Sequence, residues 1–290
     1  MWELLINNYS LYTLFKPHWI VIAVLITYFY YKILVNSPAF HVTSKQKKYF
    51  FSGIVAFLLV TSTPINVIGT DYLFSAYVLQ LSVQFFVVIP LLMLSIPRQF
   101  FRQNIWDYRI RFIIHVAGHP WLTLFMFNGL LSIFLIPGVH KFFHEHLILM
   151  AIAHFILFIH AIFMWWVIIN PLPEMTRLTY ILRAAYIFFA SAFLIPIGFF
   201  YIVIQKVQFP VYEAVMTDLL PRFTPIYDQQ LAGATLKLFQ LGSYIIALLF
   251  ILIIWRRKEE EKGDIDNTKH IRYTRGVVVH LPDKDDPTKR

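Results

Sequence analysis

Seven stretches of the chain are rich in large apolar residues and nearly free of charge, with polar segments between them. They run from about His18 to Val35, Tyr49 to Ser62, Tyr72 to Ile96, Trp121 to Ile136, Leu147 to Ile169, Ala184 to Ile204 and Leu231 to Trp255. Most approach the roughly 20 residues that a helix needs to cross the hydrocarbon of a bilayer. The second and fourth are short and need their flanks, or a thinned bilayer, to span. Helix is the architecture that serves, because an open strand edge in lipid leaves backbone groups unpaired at several kcal/mol each. The pattern predicts an all-α polytopic membrane helix bundle of about seven transmembrane helices. One membrane domain, residues 1–255, is followed by a charged tail, residues 256–290, expected to be disordered. Within that tail only Val277–Val279 carries a weak pairing signal.

Composition agrees. Hydrophobic residues make up 58% of the chain and charged residues 14%, against roughly half and a quarter in soluble domains. That much apolar surface calls for a bilayer as its solvent. The absence of cysteine excludes disulfides, thiolate metal sites and thiol nucleophiles. The net charge of +9 would suit a nucleic acid, but the basic residues fall in a few loops and the tail. That distribution encodes topology, and no nucleic-acid partner is expected.

Lysine and arginine set the orientation. Lys32, Lys45, Lys47 and Lys48 follow the first stretch, Arg98, Arg102, Arg109 and Arg111 the third, and Arg177 and Arg183 the fifth, with more in the tail. The opposite loops hold only Lys16, Lys141, Lys206 and Arg222. This alternation places the N-terminus outside and the C-terminus in the cytoplasm. No cleavable signal peptide is expected, since Met1–Lys16 is too polar for an apolar signal core. Pro90 and Pro196, inside the third and sixth stretches, should each free a carbonyl and kink the helix.

The densest polar chemistry flanks the start of the fifth stretch, where His140, His144, His146, Met150 and His154 fall close together. On one continuous helix His140, His144 and His154 share an arc of about 80°, with Met150 and His146 widening it, while His160 points away. Imidazole and thioether together suit Cu(I). The other reading takes His140, His144 and His146 as wetted interfacial residues. His154 is deep enough to require a partner or a ligand in either case. Tyr77, Gln80 and Gln84 share a face of the third stretch and fit interhelical hydrogen bonding. The seventh opens with Tyr227-Asp228-Gln229-Gln230 and carries Lys237 further in. A buried ammonium there wants an acid such as Asp228, Asp71 or Asp218, unless it snorkels to the surface. No Gly-rich phosphate loop, HExxH or nucleophile elbow is present, and no enzymatic reaction is expected.

The chain resembles the CtaG family of bacterial membrane proteins, assembly factors for caa(3)-type cytochrome c oxidase. The similarity rests on Thr63-Pro64-Ile65, Tyr72-Leu73-Phe74-Ser75-Ala76, Ile96-Pro97, Phe127-Asn128-Gly129, Met164-Trp165-Trp166, and Asp228-Gln229-Gln230-Leu231-Ala232-Gly233 followed by Lys237. It implies a multi-pass protein of the bacterial cytoplasmic membrane. Its partners would be oxidase subunits and the lipid bilayer, and its role copper-centre maturation from the outer side. The chain departs from the family pattern where histidines are expected, with Tyr77, Leu135 and Met150 in their places, while His154 matches a second family histidine. Two outcomes follow. Either His140, His144, His146 and His154 form a shifted copper site, or this chain acts without copper. A copper or small-solute transporter is the alternative function and a haem-ligating redox protein a further one, both ranked below the assembly factor. His154 and His160 lie on different faces of one helix, and His115 and His119 lie near the cytoplasmic side.

Overall fold

The computed structural model describes residues 2–105, 107–175, 178–209, 212, 223–268, 271–274 and 277–280. Five helices are long and apolar enough to cross a bilayer: Leu11–Val35, Phe74–Ser95, Leu147–Ile169, Tyr180–Val203 and Pro225–Glu261. Two bent pairs raise the number to seven when each is one span: Ser44–Thr61 with Ile65–Tyr72, bent by 57°, and Tyr108–Ala117 with Pro120–Phe134, bent by 60°. In chain order these are spans one to seven. The all-helical membrane bundle read from the hydrophobic pattern is the fold observed.

Spans three to seven share one core. Phe74, Phe85 and Phe86 of span three pack with Phe127 and Leu131 of span four, Trp165 of span five, Tyr186 of span six and Tyr244 of span seven. Spans one and two sit to one side around Tyr30 and Phe50, which stack 3.8 Å apart. Most of span one's surface faces outward, as lipid-facing apolar residues do.

Proline shapes span three as anticipated, and neighbouring helices repair the damage. Pro90 lacks the N–H that the carbonyls of the preceding turn would use. The chain answers with a π turn, Gln84–Val88. The Phe85 carbonyl takes its bond from Trp165 Nε1 at 2.8 Å, and the Phe86 carbonyl from Ser243 Oγ at 2.6 Å. Spans five and seven thus supply donors to the two carbonyls that the single N–H missing at Pro90 and the register shift of the π turn leave open. In span six, Pro196 sits in the first turn of Ile195–Val203, after a break at Leu194, where its missing N–H is no loss.

Spans six and seven cross closely at two glycines. A Cβ at Gly233 would stand 2.7 Å from the Gly198 carbonyl, and one at Gly198 would stand 2.6 Å from Lys237 Cδ. Small residues at such a crossing let backbones approach without a hydrophobic drive.

The seventh helix does not stop at Trp255. It continues to Thr268, and Ile271–Thr274 pairs antiparallel with Val277–His280, in a region whose charge reads as disorder. Strong helix formers carry the extension as far as Lys262, aided by an Arg256–Glu260 pair at 2.7 Å, one turn apart.

Candidate functional site

One end of the bundle is roofed by short elements. The N-terminal helices Trp2–Asn8 and Leu11–Phe15 lie over the half-helix Ile65–Tyr72, where Leu5 and Leu14 pack on Val67 and Tyr72. Tyr9 Oη donates to Asp71 at 2.7 Å, and the Lys16 ammonium bonds Asn66. Burial and the Asp71 carboxylate push the Tyr9 phenol above its usual range. Gly69 lets this half-helix pass the first turn of span three, since a Cβ there would stand 2.8 Å from the Tyr77 backbone nitrogen.

Beneath this roof lies the histidine cluster, assembled differently from the single helical arc. The chain forms a separate helix, Pro137–His144, and breaks at Glu145–His146 before span five begins at Leu147. His140 and His144 therefore do not share span five's face with His154. Tertiary packing brings them together instead. The His140 ring is 1% exposed and surrounded by Phe74, Tyr77, Phe134 and Phe209, with ring centroids 4.8–5.5 Å away. Neither of its ring nitrogens has a hydrogen-bond partner among the described residues. Burial, then the nearby His144 and His154, push the His140 imidazolium down to about 3, so the ring is neutral at ordinary pH. Tyr77 links the parts. Its hydroxyl is 2.7 Å from His154 Nε2 and 3.6 Å from the Met150 sulfur. His144 stands 6.1 Å from His140 and 6.0 Å from Tyr212, ring to ring.

His140, His144, Met150, His154 and Tyr77 are thus gathered, but His146 is not. It is exposed, and its Nδ1 bonds the Phe142 carbonyl at 2.8 Å. Gln80 and Gln84 are half-buried further along span three. Among the described residues no three His, Asp or Glu side chains gather tightly enough to hold a metal ion by themselves. A metal here would need the thioether of Met150 beside the imidazoles. The aromatic wall of Phe74, Phe134, Phe209 and Tyr212 went unnoticed in the sequence, because nothing distinguishes these rings from the chain's many other aromatics.

The Asp228-Gln229-Gln230 motif holds this end together. Leu73, the residue before span three's helix, provides no side-chain cap. Asp228 of span seven supplies one, accepting from the Phe74 and Ser75 amides at 2.8 and 3.1 Å. Gln229 accepts from the Gln208 amide at 3.1 Å, and Gln230 donates to the Ile204 carbonyl at 2.9 Å. Three adjacent residues tie span seven to the start of span three and to the segment leaving span six, which carries Phe209 onto His140.

Lys237 corrects an expectation. Its ammonium donates to Gln240 Oε1 at 2.6 Å and to the Ser191 carbonyl at 3.4 Å, rather than to an acid. Asp228 is engaged by span three's amides and Asp71 by Tyr9, while Asp218 lies outside the described residues. These neutral oxygens, one a turn away and one on span six, are reached without burying a second charge.

Neither the curated proteins nor the solved structures give a match to the chain. The family model described as cytochrome c oxidase caa3 assembly factor matches residues 26–258. That stretch contains all of spans two to six, the roofing half-helix, the histidine cluster and the Asp-Gln-Gln clasp, and the chain belongs to the CtaG family of caa3 cytochrome c oxidase assembly factors.

Proposed function

We propose that this protein works in the bacterial cytoplasmic membrane, without catalysing a reaction, by presenting Cu(I) as cargo to a maturing copper centre of a haem–copper oxidase and contacting the oxidase subunits at its roofed end. The Lys/Arg distribution supports placing that end outside. His140 carries the copper reading. A buried imidazole with two unpartnered nitrogens is costly unless something binds it. It is neutral, as a ligand must be, and it lies across the Tyr77 and Phe134 rings from His154. His140, His154 and Met150 offer two imidazoles and a thioether, a set suited to Cu(I). His144, half-buried beside His140, is the residue to pass the ion in or out.

The test is copper content after anaerobic Cu(I) loading of the purified protein, set against a His140→Ala/His154→Ala variant. Stoichiometric copper in the wild type and its loss in the variant is the expected result. Equal copper in both, or none in either, overturns the copper reading. In cells lacking the gene, loss of the oxidase spectrum that added copper restores is expected. Unchanged oxidase would overturn the assembly role.

A further inference from the structure

At the end of the bundle away from the roof, the helix Tyr108–Ala117 has no buried residue. Ile110, Phe112, Ile113 and Val116 are each between 42% and 58% exposed. So many large apolar groups on one short helix, uncovered by the rest of the chain, need a covering medium. The helix also carries Arg109 and Arg111, and among the described residues neither pairs with an acid. The nearby Glu174 carboxylate is taken by Arg102, and Asp107 is used as the N-cap, accepting from the Arg109 amide at 2.8 Å.

Length and charge decide where this helix lies. Pro120–Phe134 is the crossing part of span four; its 15 residues, about 22 Å of helix at the standard rise, fall short of the roughly 30 Å hydrocarbon, a deficit that local thinning of the bilayer accommodates. Tyr108–Ala117 would complete the crossing only by carrying two arginines into the hydrocarbon, among the costliest groups to place there. The 60° bend avoids this. Gly118 allows the elbow, since a Cβ there would stand 2.6 Å from the Ile114 carbonyl. Ile114 faces a small pocket shared with Trp166 and Val167 of span five, which fixes the helix's rotation. Phe112, Val116 and Ile113 fall on one arc about the axis, with Arg109 at the N-terminal end of the same arc; Arg111 lies on the far side, and His115, exposed beside the pocket that Ile114 faces, lies between Arg111 and Phe112.

We propose that Tyr108–Ala117 is an in-plane anchor that lies at the boundary between headgroups and acyl chains and binds anionic phospholipid. Its apolar arc enters the acyl region, Arg109 snorkels from the N-terminal end of that arc to the phosphates, and Arg111 reaches them from the far side. Charge complementarity selects anionic lipid, because the surrounding segment adds Arg98 and contains no free acid among its described residues.

The chain has no cysteine, so single cysteines report cleanly. The full-length protein carrying Ile113→Cys, Val116→Cys or His115→Cys is spin-labelled and reconstituted in phosphatidylcholine vesicles with and without phosphatidylglycerol. Labels at Ile113 and Val116 should be relaxed by oxygen rather than by a nickel chelate, and the label at His115 by the chelate. Phosphatidylglycerol should deepen the two apolar positions, and Arg109→Gln/Arg111→Gln should abolish that deepening in a protein whose melting is unchanged. Chelate access at all three positions overturns the anchor. Shielding from both reagents also overturns it and marks a protein partner or second copy instead. A depth indifferent to phosphatidylglycerol, or unchanged in the double variant, overturns the anionic-lipid assignment.

Discussion

The Tyr77 hydroxyl stands 2.7 Å from His154 Nε2, so the phenol occupies the coordination position that His154 would turn toward a metal. Tyr77→Phe removes this competitor. The expected outcome is a stability loss of about 1 kcal/mol, typical of an interhelical hydrogen bond in a membrane bundle, with Cu(I) retained at no less than the wild-type stoichiometry. Tyr77→His adds a third imidazole and should tighten Cu(I) by about tenfold or more, as changes around a metal site commonly alter affinity. Chelator competition on the purified variants measures both.

His140 makes stability depend on pH. Its folded value lies near 3, below the ordinary 6.5, so between those limits the unfolded chain binds the extra proton. Stability is therefore full above about 6.5 and falls as pH drops toward 3. His140→Phe fills the ring's space without a titrating group, and its melting temperature should be flatter with pH across that window. Parallel melting curves for wild type and variant in detergent, from pH 4 to 8, would show that the ring is not buried neutral.

Asp228 caps a helix on another span, 154 residues away in sequence. Asp228→Ala should cost about 1–2 kcal/mol, the upper range for an N-cap, because buried amides lose their acceptor. Asp228→Asn, which still accepts, should recover most of it. Copper loading should fall with the alanine variant as Phe74 shifts against His140, and should recover with asparagine.

Ser243 and Pro90 act as a pair, although they do not bond each other. Ser243→Ala should cost about 1 kcal/mol, since the Phe86 carbonyl loses its 2.6 Å donor. In a Pro90→Ala background an amide hydrogen is restored, and the same Ser243→Ala change should cost markedly less. A double-mutant cycle on thermal or denaturant unfolding reads the coupling, and simple additivity would break the link.

Much of the bundle was legible because lipid enforces a simple code. Span five was bounded as Leu147–Ile169 from hydropathy alone and is observed with those bounds. The site was less legible. No proline or glycine announces the break at Glu145–His146, so the arc drawn through His140 and His154 assumed one helix where there are two. Their meeting at Tyr77 is a tertiary fact. For Lys237 charge alone left an acidic partner or snorkelling to the surface, whereas the amide oxygen of Gln240, one turn on, accepts its hydrogen bond. Asp228 was marked by its motif, yet its task depends on a helix start 154 positions earlier, which one sequence cannot reveal. Past Trp255, net charge suggested disorder while local helix propensity carried the helix on.

The reliance of span three on span seven also bears on biogenesis. Span three emerges from the ribosome with the Phe86 carbonyl lacking a donor and the Phe74 and Ser75 amides lacking an acceptor. Its remedies, Ser243 and Asp228, lie in span seven, made after spans four to six. Until that helix inserts, the nascent bundle holds open polar backbone at membrane depth, which water, lipid headgroups or an insertion chaperone must shelter. A chain truncated before span seven would carry that defect permanently and present it to membrane quality-control proteases as the mark of an unfinished protein.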